Sequence, residues 1–165
     1  MTIIRDAIEQ DLSLIRELAH AIWPDTYGTI LRKDQLAYML ELIYSQKALE
    51  QQVKEGHRFL IIETDGTPQG FASFSESDAP GVFKLHKLYV LPSKQGAGLG
   101  KQLLEHVIRL ITALEASALQ LNVNRHNRAR HFYEKLGFRV LREEDIFIGG
   151  GYYMNDYVMQ CELPR

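Results

Sequence analysis

Apolar residues recur every three or four positions in the first third of the chain, and this spacing predicts amphipathic helices. The first stripe follows Asp11, a residue that favours the N-cap position, and stops at Pro24. Residues 23–28, WPDTYG, are therefore predicted to form a loop. Ser45 is predicted to cap a third helix that ends before Gly56. The second and third helices are predicted around 36–43 and 49–53.

Beyond Gly56 the pattern changes to the alternation and the β-branched composition of strands. The pair Asp65-Gly66 between two of these runs is a strong signal for a tight hairpin. Pro92 ends the longest run, and two helical stripes separate the later ones. Strands are predicted at 2–5, 59–64, 70–76, 82–91, 118–123, 138–148 and 152–163, with helices at 99–111 and 127–137.

The predicted elements follow the order β-α-α-α-β-β-β-α-β-α-β-β. Strands on both sides of the last two helices imply a mixed sheet with helices on its faces, which is an α/β architecture. The chain has 165 residues and no internal repeat, low-complexity tract or linker. We therefore expect a single domain over residues 1–165.

Composition narrows the partners and the compartment. The net charge of −2 gives no reason to expect nucleic acid or an anionic membrane as a partner. No apolar run approaches the ~20 residues that cross a bilayer, and residues 1–10 do not resemble a signal peptide. The single cysteine, Cys161, cannot form an internal disulfide. We expect a cytoplasmic protein.

Three glycines alternate directly before the predicted helix at 99–111, in the stretch QGAGLGK. A strand that runs into a glycine turn and a helix predicts an anion site, because the first-turn N–H groups lack partners within the helix. The dinucleotide fingerprint fails at Lys101, where its third glycine is needed. The P-loop pattern fails at Gln95 and Gln102, which replace its first glycine and its Ser or Thr.

The stretch Gln95–Gly100 does fit the pattern Q-x-x-G-x-G. With the strand KLYVLP before it and the segment 121–138, LNV…N…A…FYEKLGF, it resembles the signatures of the GCN5-related N-acetyltransferases (GNAT). The resemblance implies the family's mostly antiparallel sheet of about seven strands. It also implies acetyl-CoA as co-substrate without a metal, and direct attack by an amine in a ternary complex.

The resemblance further implies roles for individual residues. The pantetheine arm would reach either Asn127 or Asn124, because the alanine of the second signature follows Asn127 by two positions and not by three. Tyr133 would protonate the departing thiolate. Backbone groups of Leu88, Tyr89 and Val90 would pair with pantetheine and the acetyl carbonyl. Backbone N–H groups of Gln95, Gly96, Ala97, Gly98, Leu99, Gly100 and Lys101 would hold the diphosphate.

The base that frees the amine is left open between side chains and water. Histone-type relatives carry a glutamate on this strand, and here Lys84 occupies that position. Strict alternation puts Lys84, His86, Leu88 and Val90 on one face of the strand. His86 has a suitable ordinary pKa, and Glu76 ends the neighbouring strand. A water chain to backbone carbonyls needs neither of them.

The amine acceptor is expected between the N-terminal helices and the last hairpin. The arrangement WPDTY…YML…YS…L with FIGGGYYMNDYVM is similar to the PaiA-type polyamine N-acetyltransferases. A protein amine as acceptor, a non-catalytic CoA-binding regulator and a homodimer are the alternatives to test. Candidate acceptor residues are Trp23, Tyr27, Tyr38, Glu41 and Asp156, with Tyr44, Asp25 and Asp145 as further aromatic and acidic candidates.

Overall fold

The computed structural model of the protein describes residues 1–164 and has the predicted order of elements. The strands are β1 (Thr2–Asp6), β2 (Arg58–Thr64), β3 (Thr67–Glu76), β4 (Val82–Val90), β5 (Ala118–Asn124), β6 (Arg139–Gly149) and β7 (Tyr152–Glu162). The helices are α1 (Leu12–Tyr27), α2 (Lys33–Tyr44), α3 (Gln46–Lys54), α4 (Leu99–Ala113) and α5 (Ala129–Lys135).

The seven strands form one sheet in the order β1-β2-β3-β4-β5-β7-β6. Every neighbouring pair is antiparallel except β4 and β5, which are parallel. This parallel pair follows from the chain order, because α4 must carry the chain back across the sheet between the two strands. The predicted mixed, mostly antiparallel sheet of about seven strands is confirmed.

Each face of the sheet has its own apolar core. Alternation in β2 sends Leu60 and Ile62 into the core under α4 and α5, and Phe59 and Ile61 into the core under α1, α2 and α3. Helices on both faces were predicted from the element order. No helix within residues 1–164 is both long and apolar enough to cross a membrane.

Local signals fixed two boundaries correctly. Ser45 caps α3, since its Oγ accepts a hydrogen bond of 3.1 Å from the Ala48 N–H. Asp65 and Gly66 both have positive φ, at 50° and 80°, as a two-residue turn between β2 and β3 requires. The predicted third helix and the predicted hairpin are therefore confirmed.

The predicted loop at 23–28 is wrong, because α1 continues through Pro24 to Tyr27. Pro24 lacks an N–H, yet its carbonyl still accepts a hydrogen bond of 2.9 Å from the Gly28 N–H. Trp23 is 3% exposed and packs with Tyr27 in the core under α1, α2 and α3. Burial of these two rings outweighs the helix bond that proline removes.

Strict alternation in β4 is also wrong, because a β-bulge interrupts the strand at His86. Ser73 of β3 pairs with Lys87 and Phe74 pairs with Leu85, which leaves His86 without a partner on β3. Leu85 and Val90 therefore pack into the same core under α4. Lys87 lies on the other face of the sheet, where it contacts the rings of Tyr44 and Phe59.

Candidate active site

The strands β4 and β5 pair only at one end. Val82–Leu85 lie beside Ala118–Leu121, and beyond Leu85 the register ends. From there β4 stays with β3 while β5 stays with β7, so one edge of His86–Val90 has no strand beside it. A cavity of about 780 Å³, here called the larger cavity, occupies this gap and is lined by residues 85–90.

The glycine stretch forms one end of the larger cavity. Gly98 is the N-cap of α4 with φ 79°, and Gly96 has φ 89°, so both adopt the left-handed conformation that favours glycine. A Cβ atom added to either would meet no other atom within 4 Å. Packing inside the protein therefore does not require these glycines, and they leave open space in front of the helix.

Several backbone N–H groups around this open space have no acceptor. The first turn of α4 leaves its N–H groups without partners in the helix, and the residues before it add further free groups. Such a cluster at a helix N-terminus can bind an anion such as a phosphate. Within residues 1–164, no backbone carbonyl accepts from the N–H of Gly96, Gly98, Leu99, Gly100 or Lys101.

Tyr133 of α5 lines the larger cavity and is 8% exposed. Its ring packs edge-on against Phe132 and Phe138, which fixes the side chain in one direction. Burial raises the pKa of the Tyr133 phenol well above its usual value, so the phenol stays protonated. A protonated phenol in this position can donate a hydrogen bond or a proton to a group bound in the cavity.

The two candidate asparagines both form turns but line different cavities. The Asn127 Oδ1 accepts a hydrogen bond of 2.9 Å from the Ala129 N–H at the start of α5, and Asn127 lines the larger cavity. The Asn124 Oδ1 accepts one of 2.9 Å from the His126 N–H, and Asn124 lines a second cavity. Only Asn127 thus lines the same cavity as the glycine loop.

A second cavity of about 300 Å³, here called the smaller cavity, lies on the α1 and α2 side of β4. Its wall includes the aromatic residues Trp23, Tyr27, Tyr44 and Tyr89, and the hydroxyls of Tyr27 and Tyr89 are 2.8 Å apart. The two cavities are adjacent because several residues line both. These shared residues are Tyr27, Leu85, His86, Lys87, Tyr89 and Asn122.

Asp156 of β7 is the carboxylate that lines the smaller cavity, and it is 3% exposed. Its Oδ2 accepts a hydrogen bond of 3.2 Å from the Asn122 Nδ2. Burial raises the pKa of Asp156 above its usual value, and the hydrogen bond from Asn122 opposes that rise. An enclosed carboxylate of this kind can receive a cationic amine.

His86 lines both cavities, but its surroundings keep its ring neutral. The Nε2 atom is 2.7 Å from the Ser75 Oγ, and the ring stacks on His57 with centroids 3.9 Å apart. Burial, together with repulsion from His57, Lys87 and Lys84, lowers the pKa of His86 to about 3. A ring with this pKa takes a proton from an ammonium group only at great cost.

Five candidate site residues from the sequence analysis lie outside both cavities: Tyr38, Glu41, Glu76, Ala97 and Asp145. The Ala97 N–H donates to the Lys94 carbonyl at 3.4 Å, and Asp145 pairs with Arg125. The Tyr38 hydroxyl donates to the Ile148 carbonyl at 2.8 Å, so it joins α2 to the last hairpin. Glu41 is exposed and pairs with Arg16. The Glu76 Oε2 accepts from the Gly81 N–H at 3.0 Å and closes the turn between β3 and β4.

Lys84, Lys87 and His57 are polar residues that line the smaller cavity and were not predicted as site residues. Strict alternation concealed Lys87 alone, because it put Lys87 on the face opposite His86. The one signal for Lys87 was a charged residue within a largely apolar strand. Residues 1–164 contain no group of three or more His, Cys, Asp or Glu side chains that could hold a metal ion.

The sequence matches the family described as the acetyltransferase (GNAT) domain across residues 31–160. The chain belongs to the GNAT family. An N-acetyltransferase of Lactobacillus delbrueckii subsp. lactis, from the pepI 3′ region, is 26% identical over 163 residues, 94% of each chain. The L-amino acid N-acyltransferase MnaT of Escherichia coli (strain K12) is 28% identical over 148 residues, 83% of this chain and 79% of MnaT.

A solved structure of another N-acetyltransferase has the same fold as this chain. The crystal structure of the PaiA N-acetyltransferase from Thermoplasma acidophilum in complex with coenzyme A has a TM-score of 0.83 and 25% identity. The similarity covers 98% of this chain and 99% of the PaiA chain. With its family and these relatives, the chain is an acetyl-CoA-dependent N-acetyltransferase.

Proposed function

We propose that this GNAT enzyme acetylates a primary amine on a small molecule. The observation that carries the proposal is the adjacency of the two cavities. One has free N–H groups at a helix N-terminus, and the other has aromatic walls and a buried carboxylate. They share β4 as a wall, so a donor and an acceptor bound in them would meet at that strand.

The donor side of the site fits acetyl-CoA on three counts. The unpartnered N–H groups of Gly96 and of residues 98–101 suit a diphosphate, and the open space in front of Gly98 leaves room for it. The N–H groups of Gln95 and Ala97, also predicted for this role, donate instead to the carbonyls of Pro92 and Lys94. The free edge of Leu88–Val90 suits the amide groups of a pantetheine arm. Asn127, which lines the same cavity, is the asparagine that we assign to this arm.

Acetyl-CoA would supply a thioester whose acetyl group forms a new bond to the amine nitrogen as the bond to sulfur breaks. Tyr133 would give its proton to the sulfur as the carbon–sulfur bond breaks. Its raised pKa keeps the phenol protonated but makes it a weaker acid than a thiol, so this transfer must accompany the bond cleavage. The second proton that the nitrogen loses as the amide forms restores the phenol. Asp156 would hold the cationic amine and take up the proton that the amine must lose. An ordinary alkylamine has a pKa near 10.4, so neutralising it at pH 7 costs roughly 4–5 kcal/mol.

Among the predicted bases, His86 and Glu76 are poorly suited to this step. The pKa of His86 is about 3, and Glu76 does not line either cavity. Lys84 assists in a different way, because it interacts with Asp156 and a positive charge beside an ammonium group favours loss of its proton. We therefore assign the proton transfer to Asp156 or to water beside it.

The class of acceptor rests on the size and the buried polar residues of the smaller cavity. A cavity of about 300 Å³ with buried polar walls suits a small molecule better than a protein segment. The resemblance of the sequence to PaiA-type polyamine N-acetyltransferases makes polyamines one candidate class. The similarity to MnaT, an L-amino acid N-acyltransferase, makes amino acids another. The single cysteine still predicts a reducing, cytoplasmic compartment.

The test combines binding and turnover. Calorimetry is expected to show that acetyl-CoA binds and that ATP does not. Release of free thiol from acetyl-CoA is then measured with a panel of polyamines, amino acids and simple amines. Binding without thiol release for any amine would favour the non-catalytic CoA-binding regulator, and failure to bind acetyl-CoA would overturn the assignment of the larger cavity.

A further inference from the structure

The charged residues of the smaller cavity are two lysines and one aspartate, Lys84, Lys87 and Asp156. The two histidines beside them, His57 and His86, both have lowered pKa values and are neutral at pH 7. The cavity therefore presents more positive than negative charge to whatever enters it. A polyamine carries several positive charges, and the two lysines would repel it.

Lys87 is the most unusual of these groups, because it is a buried ammonium without an acidic partner. Its side chain is 6% exposed, and its Nζ donates one hydrogen bond of 2.7 Å to the Gln52 Oε1. The rings of Tyr44 and Phe59 lie beside it, with centroids 5.5 and 5.4 Å from the Nζ. Burial lowers its pKa to about 8, and no carboxylate of residues 1–164 is close enough to oppose that effect.

Polar atoms without partners surround the same cavity. Buried polar groups nearly always have a hydrogen-bond partner, so a group of exceptions in one place points to a polar ligand. Together with Lys87, these atoms form a polar part of a wall that is elsewhere aromatic and aliphatic. Within residues 1–164, no protein group hydrogen-bonds to His57 Nδ1 or Asn122 Oδ1.

We propose that the acceptor is an amine that also carries a carboxylate, such as an amino acid, and that Lys87 binds this carboxylate. The inference rests on the proposed acetyltransferase function and specifies its substrate class. Asp156, which is not close enough to Lys87 to interact with its charge, receives the amino group. The substrate's side chain is accommodated by the apolar residues of the same cavity, Leu31, Met39, Ile43, Ile146 and Met154.

The charges of the cavity explain why the substrate needs both an amino group and a carboxylate. A carboxylate beside Lys87 supplies the counter-ion that the protein itself does not provide. An amine without a carboxylate leaves that lysine unpaired and gains nothing from it. Buried charged groups discriminate strongly between substrates, because the wrong substrate leaves a buried polar group without a hydrogen-bond partner.

The decisive experiment compares substrates that differ only in the carboxylate. Each of the twenty standard L-amino acids is assayed for thiol release from acetyl-CoA beside its primary amide and the amine left by decarboxylation, with spermidine as a further acceptor. At least one free amino acid is expected to have a kcat/KM more than tenfold above its amide and its decarboxylated amine. The amine of the amide is less basic, so a larger fraction of it is neutral and able to attack at pH 7. A preference for the free amino acid therefore cannot come from the neutral fraction of the amine.

A pair of variants assigns the preference to Lys87. Lys87→Met removes the charge but keeps an unbranched side chain, and it is expected to raise the KM for the amino acid about tenfold or more. The KM for the decarboxylated amine is expected to change by less than threefold, which also shows that the variant is folded. Lys54→Met, an exposed lysine on α3, removes the same charge outside the cavity and is expected to change neither KM.

The outcomes test the substrate class and the acetyltransferase function separately. Equal or better turnover of amides, decarboxylated amines or spermidine would overturn the carboxylate inference and leave the acetyltransferase function standing. An equal effect of Lys87→Met on both substrate types would overturn the role of Lys87. Absence of thiol release with every acceptor would overturn the proposed function itself, and the substrate class with it.

Discussion

Tyr133 is the residue whose chemistry is easiest to isolate. Its phenol lines the larger cavity and is held between Phe132 and Phe138. Tyr133→Phe keeps this packing and removes only the O–H, so we expect kcat to fall about 100-fold, in the range typical of a general acid. The affinity for acetyl-CoA, measured by calorimetry, is expected to stay within about threefold of the wild type.

The matched control for this change is Tyr157→Phe, a tyrosine on β7 that lines neither cavity. It is expected to leave kcat unchanged. An unaltered kcat in Tyr133→Phe would remove the assigned role of its phenol. A large loss of acetyl-CoA affinity would instead indicate that the hydroxyl serves in binding.

His86 predicts a specific pH dependence of stability. Its folded-state pKa is about 3, below the value near 6.5 expected when unfolded, so the unfolded chain takes up the proton first. The stability that the neutral His86 ring contributes is therefore fully present above pH 6.5 and is lost as the pH falls toward 3. We expect His86 alone to account for up to about 2 kcal/mol of lost unfolding free energy between pH 7 and pH 5.

Urea unfolding at pH 7, 6 and 5 measures this loss in the wild type and in His86→Gln. The variant is expected to lose less, while His57 and His106, whose pKa values are also lowered, keep part of the slope. Asp156 acts with the opposite sign in both proteins, because its pKa is raised. His20→Gln, an exposed histidine on α1, is the control, and equal slopes in all three proteins would contradict the assignment.

At the scale of the element, the glycine loop predicts a contrast between two nearly identical side chains. Asp and Asn both tolerate the left-handed conformation of Gly98, so neither adds much strain. Only Gly98→Asp adds a negative charge in front of α4, where the diphosphate is expected. We predict that its Kd for acetyl-CoA is about tenfold higher than that of Gly98→Asn, a difference of about 1.4 kcal/mol.

Calorimetry at low and high salt tests this comparison. The difference between the two variants is expected to shrink as salt increases, because the repulsion is screened. Equal affinities for Gly98→Asp and Gly98→Asn at low salt would show that the diphosphate binds elsewhere. A loss in both variants alone would indicate that the loop tolerates no side chain at this position.

Elements were predictable from the sequence wherever a local signal determined the backbone. Positive φ at Gly98 and at Asp65-Gly66 demands particular residues, and those residues are visible in the sequence. The bulge at His86 has no such signal, and one extra residue moves every later side chain to the other face. Lys87 was missed for this reason.

In the helices, too, the local sequence pattern did not reveal features that depend on long-range packing. The apolar stripe of α1 identified its buried face, but it did not reveal that burial of Trp23 would carry the helix past Pro24. Tyr38 and Glu41 were predicted to line the acceptor pocket because they are aromatic or acidic. Their directions depend on how α2 packs against the last hairpin, a long-range contact that local pattern does not encode.

At the scale of the whole molecule, the site results from one irregularity of the sheet. The only parallel pair within residues 1–164, β4 with β5, separates after Leu85, and each strand keeps its partner on the far side. The gap joins the two faces of the sheet and thereby connects the two cavities. The loop before α4 lies at one end of this gap, and Asp156 lies on the strand next to β5.

The unpaired edge of β4 leads to a prediction about hydrogen exchange. In the free protein, those amides of His86–Val90 that point away from β3 have no strand partner and should exchange quickly. If acetyl-CoA binds along this edge, it should slow them by up to about 100-fold when its concentration is 100 times its Kd. Amide exchange measured by NMR, with and without acetyl-CoA, tests this directly.

The outer edge of β6 provides an internal control, because it is also unpaired but lies at the end of the sheet. Its exchange is expected to stay the same when acetyl-CoA is added. Equal slowing at both edges would mean that the ligand stabilises the whole fold without pairing with β4. Unchanged exchange along His86–Val90 in a protein that demonstrably binds acetyl-CoA would show that the cofactor does not use the gap between β4 and β5.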